Sequence, residues 1–545
     1  MINDAGGDVV FRTTSGRVRG RQCADGVIAV LGVPAAAPFG AGRFRAPQPA
    51  PAWDGVRDCT AFGPIAPQSA QLPGAGVAPR RRGCAHRQRL GARGAQGGAL
   101  PVFFWIHGGA YTFGSSAQPD FDGTALARAG LVVVSCNFRV GFEGFGHVAG
   151  FTDNRGLLDQ TAALRWVREN VAAFGGDPGN VTVAGHSSGG GSVACLMAMA
   201  QARGLFRRAI AHSVPGIHYT VELAAAVTER IAAAAGVPPT AQGLLSTPPA
   251  ALVAAADKVA AQCGTDPVAL VHAFAPVIFQ PVIDGEVLPA EPLRALASGT
   301  ARDVDLLVCH TVEEAWFLHA VGAVREVTTE AELADFAEAL NLPAHLLDGY
   351  RTAMPDAPVL DRYLAVLGDA QFGEYTTRLA EQHAKAGGRA HLARFTRKRG
   401  AARPWHTADV PFAFGNLDAV GADFLIGATP TGTTGPCPTA CSAPGPTTRP
   451  PQTPAGPRSP PTSHRSSPGP SPPTTWPTTT GPDCARSGGT SDSTHCALLT
   501  DHAFSVVLPR NPATADRHTD HGLCPSSRLR SARRPWHGRR RRWWE

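Results

Sequence analysis

The stretch Val181-Thr-Val-Ala-Gly-His-Ser-Ser-Gly-Gly190 constrains the architecture more than any other. A β-branched run of strand length breaks into Gly-His-Ser-Ser-Gly and then into a helix-compatible segment, Ser192 to Ala202. A strand turns that sharply into a helix only where side chains are small, and Gly185 and Gly189 let the backbone fold tightly. The turn leaves the Ser187 hydroxyl exposed at the strand end, where the helix N-terminus favours developing negative charge. Alone, Gly-x-Ser-x-Gly is a weak signal, because three fixed positions in five recur by chance in a long chain. Its setting strengthens it.

A second glycine-rich element lies upstream: Leu100-Pro-Val-Phe-Phe-Trp-Ile-His-Gly-Gly-Ala-Tyr111, an apolar strand ending in His-Gly-Gly-Ala. A plain glycine turn closing a strand is one reading. The other follows from chemistry: a serine attacking a carbonyl creates an oxyanion, and donors already oriented in a dry site are worth a few kcal/mol each. The backbone N–H groups of Gly108 and Gly109, with that of Ser188, are the candidate oxyanion hole.

With these elements in place the chain resembles the type-B carboxylesterase family, which includes para-nitrobenzyl-esterase-like and cholinesterase-like α/β-hydrolases. The likeness runs in order through Thr14-Ser-Gly-Arg-Val-Arg-Gly20, Arg43-Phe-Arg-Ala-Pro-Gln-Pro49, Asn137-Phe-Arg-Val-Gly141, Gly156-Leu-Leu-Asp-Gln160, Phe174-Gly-Gly-Asp-Pro178 and Gly204-Leu-Phe-Arg-Arg-Ala-Ile210. It continues in Pro281-Val-Ile-Asp-Gly285 and Val410-Pro-Phe-Ala-Phe-Gly-Asn-Leu417, so it covers residues 9 to 67 and 100 to 427. The resemblance implies an α/β-hydrolase fold: a central, mostly parallel sheet flanked by helices, with helical insertions covering the pocket. It also implies cofactor-free serine hydrolysis of carboxylic esters, with short-chain or aryl esters as substrates.

Nucleophile, acid and histidine should follow in that order. After the apolar strand Val304 to Cys309 comes His-Thr-Val-Glu-Glu-Ala-Trp-Phe317. Aligning it with the family on Trp316 and Phe317 selects Glu314 as the acid; Glu313 is the competing choice, and Ala315 stands where the family has Gly. The base is His406, in Arg403-Pro-Trp-His-Thr-Ala-Asp-Val-Pro411, similar to the family's loop in which a histidine precedes an acidic residue, Pro, Phe and Gly. His107, His212 and His310 read as structural or pocket-lining. None of the triad is lost, which counts against a catalytically silent scaffold.

Two departures stand out. His186 precedes the nucleophile where the family usually has Glu, which removes a negative charge near the imidazolium. Glu143, in Gly141-Phe-Glu-Gly-Phe145, replaces an apolar residue; a buried carboxylate there needs a partner, and the sequence does not show one.

Composition divides the chain at about residue 430. Residues 431 to 545 hold 14 of the 50 basic residues and 6 of the 43 acidic ones, a net of +8 that leaves −1 for the rest. Rich in Pro, Thr, Ser and Arg, this tail reads as disorder by composition, and its Arg528 to Trp544 end as a nucleic-acid or membrane-surface patch. A shifted reading frame explains it better. Slid with plausible codons, Gly432 to Pro457 gives DHRALSDRMQRAWSDYAATADPGWP, an amphipathic helix with a family-like ending. Arg82 to Gly94, within the anomalous stretch 68 to 99, gives EDALTVNVWAPG, close to the family's acidic-then-strand motif. Genuine lineage-specific insertions are the alternative. On the frame-shift reading a strand near residues 85 to 92 is lost, so a sheet edge is expected to lie open, costing several kcal/mol, and the damaged gene yields a poorly folding product.

The first ten residues lack a basic segment followed by an apolar one, and no run of 18 apolar residues occurs, so a cytoplasmic location without membrane or nucleic-acid partners is expected. The 12 cysteines contain no Cys-x-x-Cys, and their spacing indicates neither a disulfide framework nor a metal site.

Overall fold

The computed structural model describes residues 2–3, 8–23, 26–36, 42–69, 87–93, 99–263, 277–398, 402–419, 421–426 and 504–507. The strands, in chain order, are β1 (Ile2–Asn3), β2 (Asp8–Arg12), β3 (Arg17–Gln22), β4 (Val27–Pro34), β5 (Val56–Asp58), β6 (Arg87–Arg93), β7 (Leu100–Ile106), β8 (Val132–Cys136), β9 (Gly176–His186) and β10 (Arg208–His212). After them come β11 (Tyr219–Thr220), β12 (Val282–Ile283), β13 (Asp305–Thr311), β14 (Ala390–Phe395) and β15 (Phe504–Val507). Apart from the separate β11–β12 pair they form one sheet, in the order β1-β2-β3-β4-β6-β8-β7-β9-β10-β13-β14-β15, with β5 alongside β3.

The central six strands, β8-β7-β9-β10-β13-β14, run parallel, and the flanking pairs are antiparallel except β3 with β5. A parallel sheet is covered on both faces by its crossover helices, so its strands read as continuous apolar runs. Val132–Cys136, buried at every residue, is such a run. Helix Arg155–Asn170 leads into β9, helix Ser188–Ala198 follows it, and helix Glu374–Lys385 precedes β14. A separate apolar cluster formed by Ala315, Leu333, Phe336, Tyr363 and Leu367 joins helices Glu314–Ala320, Glu330–Ala339 and Val359–Gly368, an inserted helical layer beside the sheet. The expected α/β-hydrolase architecture with helical insertions is therefore present.

The sheet edge expected to be open is closed. Arg87–Arg93 runs antiparallel to both β4 and β8, pairing Leu90 with Val30 on one side and with Val134 on the other. The physical reason is that main-chain hydrogen bonding is indifferent to side chains: a gap between two strands is filled by an extended backbone of unpromising composition. Residues 70–86, 94–98, 427–503 and 508–545 lie outside the described residues, and most of both suspected frame-shifted segments falls there.

Glu143 is buried and has the partner it needs, Arg43, which the sequence does not show. The Arg43 guanidinium donates to it through Nη2 (2.6 Å to Oε1) and Nε (3.0 and 3.2 Å), and through Nη1 to the carbonyls of Leu245 and Thr247. A bidentate, fully hydrogen-bonded pair is the arrangement that makes a buried charge tolerable. Among the described residues, no helix is long and apolar enough to cross a membrane.

Candidate active site

The carboxyl ends of β7, β9, β10 and β13 converge on the site, as in other open α/β sheets. β9 ends at His186, and the chain enters helix Ser188–Ala198 within one residue. Ser187 makes the turn with φ 57° and ψ −127°, its N–H donating to the His212 carbonyl at 2.9 Å and its carbonyl accepting from Gly191 at 2.9 Å. The glycines are demanded by contact. A Cβ on Gly185 would lie 2.4 Å from the Gly189 carbonyl oxygen, and one on Gly189 would lie 2.2 Å from that of Ile106. The helix N-terminus is thus pressed against the ends of its own strand and of β7. Ser188 is buried in the first helical turn, where amides have no acceptor within the helix.

Beyond β7 the chain is left-handed at Gly109 (φ 121°), Ala110 (54°) and Tyr111 (56°). Only glycine fits the first position, since a Cβ there would meet the Phe113 carbonyl oxygen at 2.0 Å. Strain at two non-glycine residues persists only where surroundings hold it. Here Gly109 accepts from Thr112 and Phe113, and Gly141 donates to Tyr111. Gly108 packs against the serine turn: its virtual Cβ lies 3.2 Å from Ser187 Cβ and 2.9 Å from the His186 carbonyl oxygen.

The two residues expected as acid and base, Glu314 and His406, meet directly. His406 Nδ1 lies 2.6 Å from Glu314 Oε2 with both side chains buried. The other oxygen, Oε1, accepts from Ser213 Oγ at 2.6 Å and from the Thr311 amide at 2.8 Å, so the carboxylate is fixed from three sides. Glu313 points elsewhere, paired with Lys398 and Arg403. The His406 ring lies 4.5 Å from that of His186 and 4.4 Å from Phe372, centroid to centroid. His186 immediately precedes Ser187, so the serine turn and the imidazole are neighbours. Ser213 and Thr311 carry no sequence motif; their only signal is that each stands at the end of a strand beside a site residue.

The remaining histidines differ in setting. His107 is stacked on Phe138 and bonded to the Gly108 carbonyl, and burial pulls its pKa down to about 4. Burial, then the neighbouring His406, pulls His186 well below the usual imidazole range. His310 bonds the Thr311 carbonyl. His212 does more than line the site: its Nδ1 lies 2.5 Å from Asp409 Oδ2. Burial alone would raise Asp409, but His212 and His186 hold it at about 2.

Residues 7–422 match the family model of the carboxylesterase family. The chain is 35% identical over 428 residues to the para-nitrobenzyl esterase of Bacillus subtilis, covering 75% of this chain and 84% of that one. It is 33% identical over 440 residues to the phenmedipham hydrolase of Pseudarthrobacter oxydans, covering 77% and 86%. Among solved structures it is similar to a Geobacillus stearothermophilus carboxylesterase, with TM-score 0.64, 35% identity and coverage of 76% and 85%. It is likewise similar to a thermophilic para-nitrobenzyl esterase, with TM-score 0.67, 33% identity and coverage of 77% and 86%. With this match over most of its length, the chain belongs to the carboxylesterase family and is a carboxylic-ester hydrolase.

Proposed function

We propose that Ser187, His406 and Glu314 are the catalytic triad, and that the N–H groups of Gly108, Gly109 and Ser188 form the oxyanion hole. The observation that carries this reading is the buried 2.6 Å contact between His406 Nδ1 and Glu314 Oε2, next to a serine held in a strained strand-to-helix turn. Ser187 Oγ attacks the ester carbonyl while His406 Nε2 takes its proton. The three amides receive the oxyanion, and His406 returns the proton to the departing alcohol, leaving acyl-Ser187. Water then repeats the sequence and releases the acid. Glu314 holds the tautomer with Nδ1–H toward itself and stabilises the imidazolium.

Short-chain or aryl esters are the proposed substrates; the name of the Bacillus relative, a para-nitrobenzyl esterase, supports an aromatic ester. The test is para-nitrophenyl acetate hydrolysis by the full chain and by Ser187→Ala. A loss of at least about 10⁴-fold in kcat is expected. Activity independent of Ser187 would show the mechanism to be wrong. We further propose that 68–99 and 431–545 contain frame-shifted sequence; the end of the family match at 422 supports the second assignment.

A further inference from the structure

Behind the proposed triad, three strand ends carry a row of side chains that ester hydrolysis does not use. His186 of β9 is in register with His212 of β10, and His212 with Cys309 of β13, so the three project on one face of the sheet. Asp409, three residues after His406, closes the row from the loop. His212 is 8% exposed, Cys309 1% and Asp409 0%, and one donor atom from each of these three lies within 4.8 Å of the others. Asp409 Oδ1 is buried with no hydrogen-bond partner.

We propose that His212 Nδ1, Cys309 Sγ and the Asp409 carboxylate form an inhibitory site for a thiophilic divalent cation of the zinc type. Donor chemistry selects the ion: one sulfur, one imidazole nitrogen and one carboxylate suit zinc or cobalt, whereas magnesium and calcium require shells of oxygen. Charge selects it too. A thiolate and a carboxylate match the two charges of a dication, which burial of the site favours. On binding, the Cys309 thiol proton leaves to solvent. His212 exchanges its proton with solvent from Nδ1, which now faces Asp409, to Nε2, so the neutral ring offers the Nδ1 lone pair and the thiol proton is the one net proton released.

Inhibition follows from what these residues are attached to. The His212 carbonyl holds the Ser187 amide, and the next residue, Ser213, holds Glu314. The Cys309 carbonyl accepts from the Ser213 amide, and Thr311, two residues on, donates to Glu314. Tetrahedral zinc at about 2.0–2.3 Å from each ligand sets neighbouring donors roughly 3.3–3.7 Å apart. The His212 Nδ1 to Asp409 Oδ2 separation of 2.5 Å must therefore widen by nearly an ångström. A displacement of that size at supporting residues costs on the order of 10²-fold in rate. This consequence rests on the proposed triad; metal binding does not.

The experiment uses the full chain after dialysis against EDTA. Cobalt(II) titration is expected to produce, at one equivalent, the near-ultraviolet thiolate-to-cobalt band, absent from Cys309→Ser and from His212→Gln and retained by Ser187→Ala. Zinc is expected to lower para-nitrophenyl acetate hydrolysis about 10- to 100-fold, reversibly with EDTA. Cys309→Ser is expected to hydrolyse the ester without zinc sensitivity, and His212→Gln repeats the comparison should the serine variant fold poorly. No stoichiometric band, the same band in Cys309→Ser, or equal zinc inhibition of both variants and the parent would overturn the proposal. A band retained in an Ser187→Ala protein whose activity is also retained would overturn the triad and leave the metal site standing.

Discussion

Glu314 and Glu313 are adjacent in sequence and opposite in situation, and the difference decides what each substitution does. Glu314 is buried, accepting from Ser213, Thr311 and His406; Glu313 is bound to two surface cations. Glu314→Gln is expected to lower kcat about 10³- to 10⁴-fold, by analogy with the loss seen when the triad acid becomes an amide. Glu313→Gln should stay within roughly 3-fold, the scale of a surface pair. Steady-state kinetics on the two variants checks the assignment, and equal losses would refute it. Ser213 gives a finer test. Its hydroxyl donates to a charged carboxylate, a bond worth about 1.5–3 kcal/mol, so Ser213→Ala should lower kcat about 10-fold or more with little change in KM.

At the scale of elements, the legible parts of the sequence are those where backbone geometry dictates residue type. The serine turn and the His-Gly-Gly-Ala loop announce themselves because Gly185, Gly189 and Gly109 face carbonyl oxygens at separations no Cβ tolerates. Contacts between distant segments are illegible, because any of several side chains could meet there. Arg43 and Glu143 are 100 residues apart, and neither shows its partner. Nor does the spacing of His212, Cys309 and Asp409 announce a cluster, since the sheet register brings them together. Breaking the Arg43–Glu143 pair by Arg43→Met strands a buried carboxylate and is expected to cost about 3–5 kcal/mol in urea unfolding, while adding Glu143→Leu should recover most of that loss. A double variant no more stable than the single would show that the pair does not carry this energy.

The segment leading into helix Arg155–Asn170 adds a pH dependence. His147 Nδ1 lies 2.9 Å from Asp153, and this hydrogen bond raises the imidazole pKa above 6.5 against the opposing effect of burial. A raised pKa means that the folded state holds the proton more tightly than the unfolded chain. The contribution is therefore complete below about pH 6.5 and lost as pH rises through the raised value. Relative to His147→Gln, the parent should be more stable at about pH 5.5 than at about pH 9; a difference independent of pH would contradict the assignment.

For the whole molecule, the question is whether a sheet whose catalytic half is well formed is supported by its other half. β6 stands between β4 and β8 and supplies main-chain bonds to both, yet its sequence, Arg-Gln-Arg-Leu-Gly-Ala-Arg, offers little of the β-branched and aromatic character that favours a strand with sheet on both sides. Its neighbours are apolar: β4 is buried at all eight positions and β8 at all five. The frame-shifted reading EDALTVNVWAPG places two Val and a Trp in this span. Replacing Arg82 to Gly94 by that sequence is therefore expected to raise the urea midpoint of the full chain and its soluble yield, with an unfolding free energy higher by several kcal/mol if two or three apolar side chains become buried at about 1.5–3 kcal/mol each. The proposed triad residues lie elsewhere, Ser187 after β9, Glu314 at the start of helix Glu314–Ala320 and His406 in a turn, so kcat per folded molecule should change less than about 3-fold. Unfolding and active-site titration with a serine-directed inhibitor separate the two effects. A substituted chain that is no more stable than the parent would show Arg87–Arg93 to be a genuine strand of this lineage, already matched to its neighbours.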